Sequence, residues 1–210
     1  MIRQLCALAA LAAAATPPGP ITRPPSDEPP LRLTIELDGR TYDGEAGREL
    51  EVTAGGKKLT LRVGLKDTRV FAEAGIRFEF ERGMLWDFHS EDGVDSWSLE
   101  GKSCIALVQR LAEGEAEDLA PIVLREILAS STDDAPEPEK TTVTLGDRQV
   151  PAWRASVESE DLVESWLTIG VQAAGRPVVI SLQDFPDEAD GVTDEIRRFR
   201  ALLEKTFRLQ

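Results

Sequence analysis

Histidine and cysteine are nearly absent: the 210 residues include one His and two Cys. So few soft ligands exclude a zinc finger, a haem attachment motif and a disulfide scaffold. Positive charge is also short, with 24 Lys and Arg against 38 Asp and Glu and a net charge of −14. Such a balance argues against gripping nucleic acid through its phosphates and against lying on anionic lipid. No apolar run approaches the roughly 20 residues that a membrane span needs. The phosphate-cradling patterns GxGxxG and GxxxxGK[ST], the zinc pattern HExxH and the nucleophile pattern GxSxG are all missing. What remains is 41% hydrophobic, too apolar for a disordered chain. The length admits one full domain and a small extra unit.

The first segment reads as an address. Arg3 supplies a short positive region, and Leu5 to Ala15 is an uninterrupted apolar run of eleven residues. Ala13 to Ala15 place small side chains just before Thr16, the pattern of a secretory signal peptide over residues 1–15. Cys6 precedes most of the apolar run, whereas a lipidated Cys follows it, so lipidation is not expected. Cleavage between Ala15 and Thr16 removes Arg3 and Cys6, leaving 23 basic and 38 acidic residues, a net −15. The expected location is therefore periplasmic or secreted. The surviving Cys104 lies among apolar neighbours in SCIALVQRL and reads as an inert core residue. Residues 16–30 hold seven Pro in fifteen positions and read as an extended linker.

From Leu31 the apolar residues alternate. Leu31, Leu33, Ile35 and Leu37 mark one strand, Leu50 and Val52 a second, and Leu59, Leu61 and Val63 a third. Asp38-Gly39 and Gly55-Gly56 are turn signals, so residues 31–66 predict a small three-stranded β meander. The main domain is predicted over residues 67–210. It begins with a strand at Ile76, Phe78 and Phe80. A hairpin follows, and an Asp92-Gly93 turn there sets Phe88 opposite Trp97 and Trp86 opposite Leu99. SCIALVQRL predicts another strand, and EAEDLAPIVLREILAS a helix with Pro121 near its first turn. STDDAPEPEK reads as a loop. Strands are then predicted at TTVTL, QVPAWRASV, LVESWLTIGV and PVVISLQDF, before a closing helix over residues 187–210. Strands, helix, strands, helix with hairpin turns imply an α+β fold: an antiparallel β-sheet flanked by two main helices.

The search for chemistry is mostly negative. His89 sits in the hairpin near Ser90, Ser96, Asp92 and Asp95, but a catalytic triad needs an oxyanion site that a turn does not supply. Asp184, Asp187 and Asp190 suggest a calcium loop until the spacing is counted. From Asp187, the third position is Ala189 and the twelfth is Arg198, so the EF-hand pattern fails and no metal site is expected. Carboxylates are plentiful, yet no spacing singles out a pair for hydrolysis. The arginines of the closing helix read as a solvated face. Trp166 is the one candidate ligand-binding residue. In LVESWLTIGV it shares a mixed face with Glu164 and Thr168, where it is either covered by another layer or open to a ligand.

Several stretches carry a family resemblance. GIRFEFERGMLWDF is similar to the opening aromatic strand of the PsbP-like superfamily, and LGDRQVPAWRAS resembles its Gly-x-Pro-Ala-x-Arg strand. LAPIVLREIL, RPVVISLQDF and EIRRFRALLEKTFRL resemble its helix, late strand and closing helix, so the likeness spans about residues 68–210. That superfamily includes a photosystem II subunit, a nuclear-import factor that binds the GTPase Ran, and many exported bacterial proteins of unknown role. The resemblance implies an antiparallel sheet between helices and an adaptor or binding role, and it carries over no catalytic residue. The unit at 31–66 is a departure from the family. The expected function is an exported, non-catalytic binding or assembly module without a cofactor, meeting a protein partner in the cell envelope. The alternatives are a small-ligand carrier with a groove near Trp166 and a carboxylate-dependent hydrolase.

Overall fold

Alternating apolar residues and glycine turns set most of the strands. The computed structural model describes residues 32–45, 49–64, 66–132, 134–158, 163–187 and 191–210. The expected signal peptide and Pro-rich linker lie outside the described residues. The chain divides into two compact units, with the boundary between Asp67 and Thr68.

The smaller unit holds four strands rather than three. β1 (Arg32–Leu37) pairs antiparallel with β2 (Arg40–Glu45), and β3 (Glu49–Ala54) with β4 (Lys57–Arg62). Asp38 and Gly39 both take positive φ, 50° and 71°, as the tight turn of a two-residue hairpin demands. Strand β2 escaped the sequence reading because RTYDGE has one large apolar residue, Tyr42, and no alternation. That residue ties the two hairpins together. Its hydroxyl donates to the Thr53 carbonyl at 2.8 Å and accepts the Thr53 N–H at 3.0 Å.

The larger unit contains the remaining strands. These are β5 (Thr68–Phe71), β6 (Ile76–Glu81), β7 (Leu85–Glu91), β8 (Val94–Glu100), β9 (Cys104–Arg110), β10 (Glu139–Leu145), β11 (Arg148–Glu158), β12 (Val163–Ala173), β13 (Arg176–Asp184) and β14 (Arg208–Leu209). Two helices stand among the described residues, α1 (Ala116–Ser131) and α2 (Asp194–Thr206). Seven strands form an antiparallel sheet in the order β10-β11-β12-β13-β9-β8-β7, and β14-β6-β5 form a smaller one. The α+β class with antiparallel sheets is thus present. The β7–β8 register sets Phe88 opposite Trp97 and Trp86 opposite Leu99, as the turn signal predicts.

The large sheet is two meanders joined at its centre, where β13 pairs with β9. The chain leaves β9 and must return at the far edge, on β10. Four strand spacings separate the two, roughly 19 Å. A helix of 16 residues covers about 24 Å, enough to make the crossing. Helix α1 packs on β11, β12 and β13, burying Leu124 and Leu128 with Trp153, Trp166 and Val179. The other face of the sheet buries a larger cluster that includes Phe71, Phe78, Phe80, Phe199 and Leu203. Strand β13, buried along nearly its whole length, serves both layers, which explains its apolar run from Pro177 to Ile180.

Two local expectations are corrected. Pro121 is the sixth residue of α1, not a first-turn residue, so the helix forgoes one interior hydrogen bond there. The closing helix covers Asp194–Thr206, not residues 187–210. Thr193 caps it by accepting the Ile196 N–H at 3.3 Å, and Arg208 and Leu209 leave the helix to pair with Arg77 and Ile76. The short strand β5 had no signature of its own, since two of its four residues are exposed.

Candidate ligand-binding cleft

Strand register builds one polar-and-apolar cleft in the larger unit. Arg154 on β11 lies opposite Leu167 on β12, which lies opposite Leu182 on β13. In the next row Ser156 faces Ser165, and Ser165 faces Asp184. Because neighbouring strands keep side chains level, both rows lie on the face that α2 approaches. Ile196 and Arg200, one helical turn apart on α2, complete the wall with Val192. The cleft is about half open to solvent, with a volume of about 270 Å³.

The polar groups differ in how far they are committed. Asp184 is buried, and both its oxygens serve the start of α2: Oδ2 accepts the Thr193 N–H at 3.0 Å and Oδ1 the Thr193 hydroxyl at 2.5 Å. Arg154 is held by Glu139, with Nε donating to Oε2 at 2.9 Å. The Ser156 and Ser165 hydroxyls share a hydrogen bond at 3.2 Å. Arg200 makes no hydrogen bond or ion pair with any described residue. Its neighbours on α2 are tied: Arg197 donates to Asp194 at 2.5 Å and to the Val192 carbonyl at 2.9 Å, and Arg198 to Glu81 at 2.5 Å. The Glu81 hydrogen bond raises the Arg198 pKa further above its already high value.

The candidates read from sequence fall elsewhere. Trp166 is 7% exposed, with its indole in the cluster beneath α1. The indole N–H donates to Glu164 Oε2 at 3.3 Å, an oxygen that also accepts from Gln183 Nε2 at 2.9 Å. Strand alternation turns Ser165 and Leu167 toward the cleft and the indole of Trp166 away from it, so Trp166 borders the cleft as part of the β12 backbone. His89 is exposed and meets Glu91 at 3.2 Å. Cys104 is buried, and desolvation, reinforced by Glu195, Asp184 and Glu81, pushes its thiol far above the ordinary range. Such a thiol stays protonated and is a poor nucleophile. No cluster of His, Cys, Asp and Glu that could hold a metal ion occurs among the described residues. No helix there is long and apolar enough to cross a membrane.

Sequence reasoning missed Arg154, Ser156, Ser165 and Arg200. One signal was present: Arg200 lies four residues after Ile196, at the border of the stripe formed by Ile196, Phe199 and Leu203. An arginine there faces the body of the protein rather than open water.

No protein-family model matches the chain, and no curated protein does. Among solved structures it is similar to a protein of Bacteroides thetaiotaomicron, at 9% identity and a TM-score of 0.40, over 69% of this chain and 48% of that one. It is also similar to LpqN of Mycobacterium tuberculosis, a protein involved in cell envelope biogenesis, at 12% identity and a TM-score of 0.32, over 78% of this chain and 91% of that one. The chain spans about half the length of the Bacteroides protein.

Proposed function

We propose that this protein is an exported, non-catalytic binding module of PsbP-like type, and that it holds a small molecule in the cleft between β10–β13 and α2. One observation carries the reading: two level rows of side chains set hydroxyls and a guanidinium over an apolar floor of Leu167, Leu182 and Ile196. A few convergent polar groups on an apolar surface is the composition of small-molecule sites. The alternative of a carboxylate hydrolase fits less well. It needs two converging acids, whereas among the described residues Asp184 alone lines the cleft with a carboxylate, and that carboxylate is engaged by Thr193. The carrier alternative thus moves from the indole of Trp166 to the opposite face of the same strand.

A thermal-shift screen of small metabolites against the protein starting at Thr16 tests this. Ser165→Phe projects a ring into the cleft from the middle of the second row. Compounds that raise Tm for the natural protein are expected to lose that effect in the variant, with circular dichroism unchanged. Compounds that stabilise both proteins equally, or a screen without stabilising compounds, overturn the reading. Turnover that disappears in Asp184→Asn would put the hydrolase in its place.

A further inference from the structure

We infer that the cleft recognises a small monocarboxylate with an apolar body, and that Arg200 is its counter-ion. The inference rests on the reading of the cleft as the binding site. The chain carries 38 acidic side chains, yet Arg200 meets none among the described residues, while Arg197 and Arg198 each hold one. An unpaired guanidinium against an apolar wall has lost part of its hydration without a compensating partner. A bound anion supplies that partner.

Three features narrow the anion. Asp184 forms no ion pair with Arg200; its two oxygens instead accept from the Thr193 N–H and hydroxyl. Glu139 holds Arg154, so Arg200 is the one guanidinium of the described lining without an ion-pair partner, which suits a monoanion better than a phosphate dianion. A planar guanidinium presents paired N–H donors at the spacing of two carboxylate oxygens. The Ser156 and Ser165 hydroxyls share a hydrogen bond within the same cleft, which leaves one of the two O–H groups free to donate to a second polar group. Size supplies the last limit. A half-open cleft of about 270 Å³ lies at the small end of ligand sites, which suits a short chain or a single ring.

Calorimetric titration of the protein with straight-chain carboxylates from butyrate to decanoate, and with the matching primary amides, tests the inference. The acids are expected to bind about tenfold or more tightly than the amides, the difference between charge-assisted and neutral hydrogen bonds. Arg200→Gln removes that preference, and Arg200→Lys, which keeps charge without the fork, retains part of it. Ser165→Phe abolishes binding of both series. Equal binding of acids and amides, lost in Ser165→Phe, leaves the cleft as a site and overturns the carboxylate inference. Failure of every probe to bind the natural protein overturns the carboxylate inference, and binding indifferent to Ser165→Phe overturns both. Should Arg200→Gln not fold, the comparison of acid with amide on the natural protein still decides.

Discussion

Individual side chains show where charge contributes to stability in so acidic a protein. Asp95 on β8 accepts from Ser90 Oγ at 2.7 Å and from Arg110 through Nε at 2.9 Å and its terminal nitrogen. The Ser90 hydrogen bond first, with Arg110 and Arg176, holds its carboxyl below the ordinary value of 3.8, against an opposing push from burial. A depressed folded-state pKa means the native protein holds this proton less tightly than the unfolded chain. The resulting stability is fully present above the ordinary value and is lost as pH falls through the folded one. Asp95→Asn is therefore expected to lower stability by about 1 kcal/mol near neutral pH. The gap from the natural protein should narrow below pH 3.8, as followed by urea unfolding across a pH series. A constant gap at every pH would assign the loss to shape rather than charge. At this scale the sequence was partly legible. Cys104 read as buried from its neighbours alone. Which arginine of α2 lacks a partner among the described residues depended on which carboxylates Arg197 and Arg198 reach, and Glu81 lies 117 residues from Arg198.

Elements meet through a few close contacts. Helix α1 begins so near β12 that a Cβ added to Gly170 would lie 2.0 Å from the Ala116 carbonyl oxygen. Both partners are backbone, so neither can rotate away. Gly170→Ala is expected to cost about 1–3 kcal/mol, as overpacking does, and to lower Tm with the antiparallel sheet retained. Calorimetric unfolding with far-ultraviolet circular dichroism checks this, and an unchanged Tm would mean that the helix shifts freely on the sheet. Helix α2 is tied differently. Glu195 Oε2 accepts the backbone N–H of Lys102 at 2.8 Å and of Ser103 at 2.7 Å, closing the β8–β9 connection. Strands with alternation and a glycine turn were legible in the sequence, down to the pairing of Phe88 with Trp97. Strands β2 and β5 were not, because an exposed strand held by its neighbour needs no apolar alternation of its own.

At the scale of the whole molecule, the first question is where the chain is delivered. Export with cleavage at Ala15-Thr16 predicts a mature form lacking Arg3 and Cys6, which N-terminal sequencing of the protein from the envelope or medium checks. An intact Met1 on the exported form would refute that assignment. The sequence by itself determined the strands that carry turn signals, the two helices and the α+β class, because periodicity and turn chemistry act between residues close along the chain. Only the tertiary structure decided that β13 lies against β9, that the indole of Trp166 is covered by α1, and that Arg154, Ser165 and Arg200 line one cleft. Those outcomes follow from burying both faces of a seven-stranded sheet at once. That is a condition on segments far apart in the chain, and no local pattern encodes it.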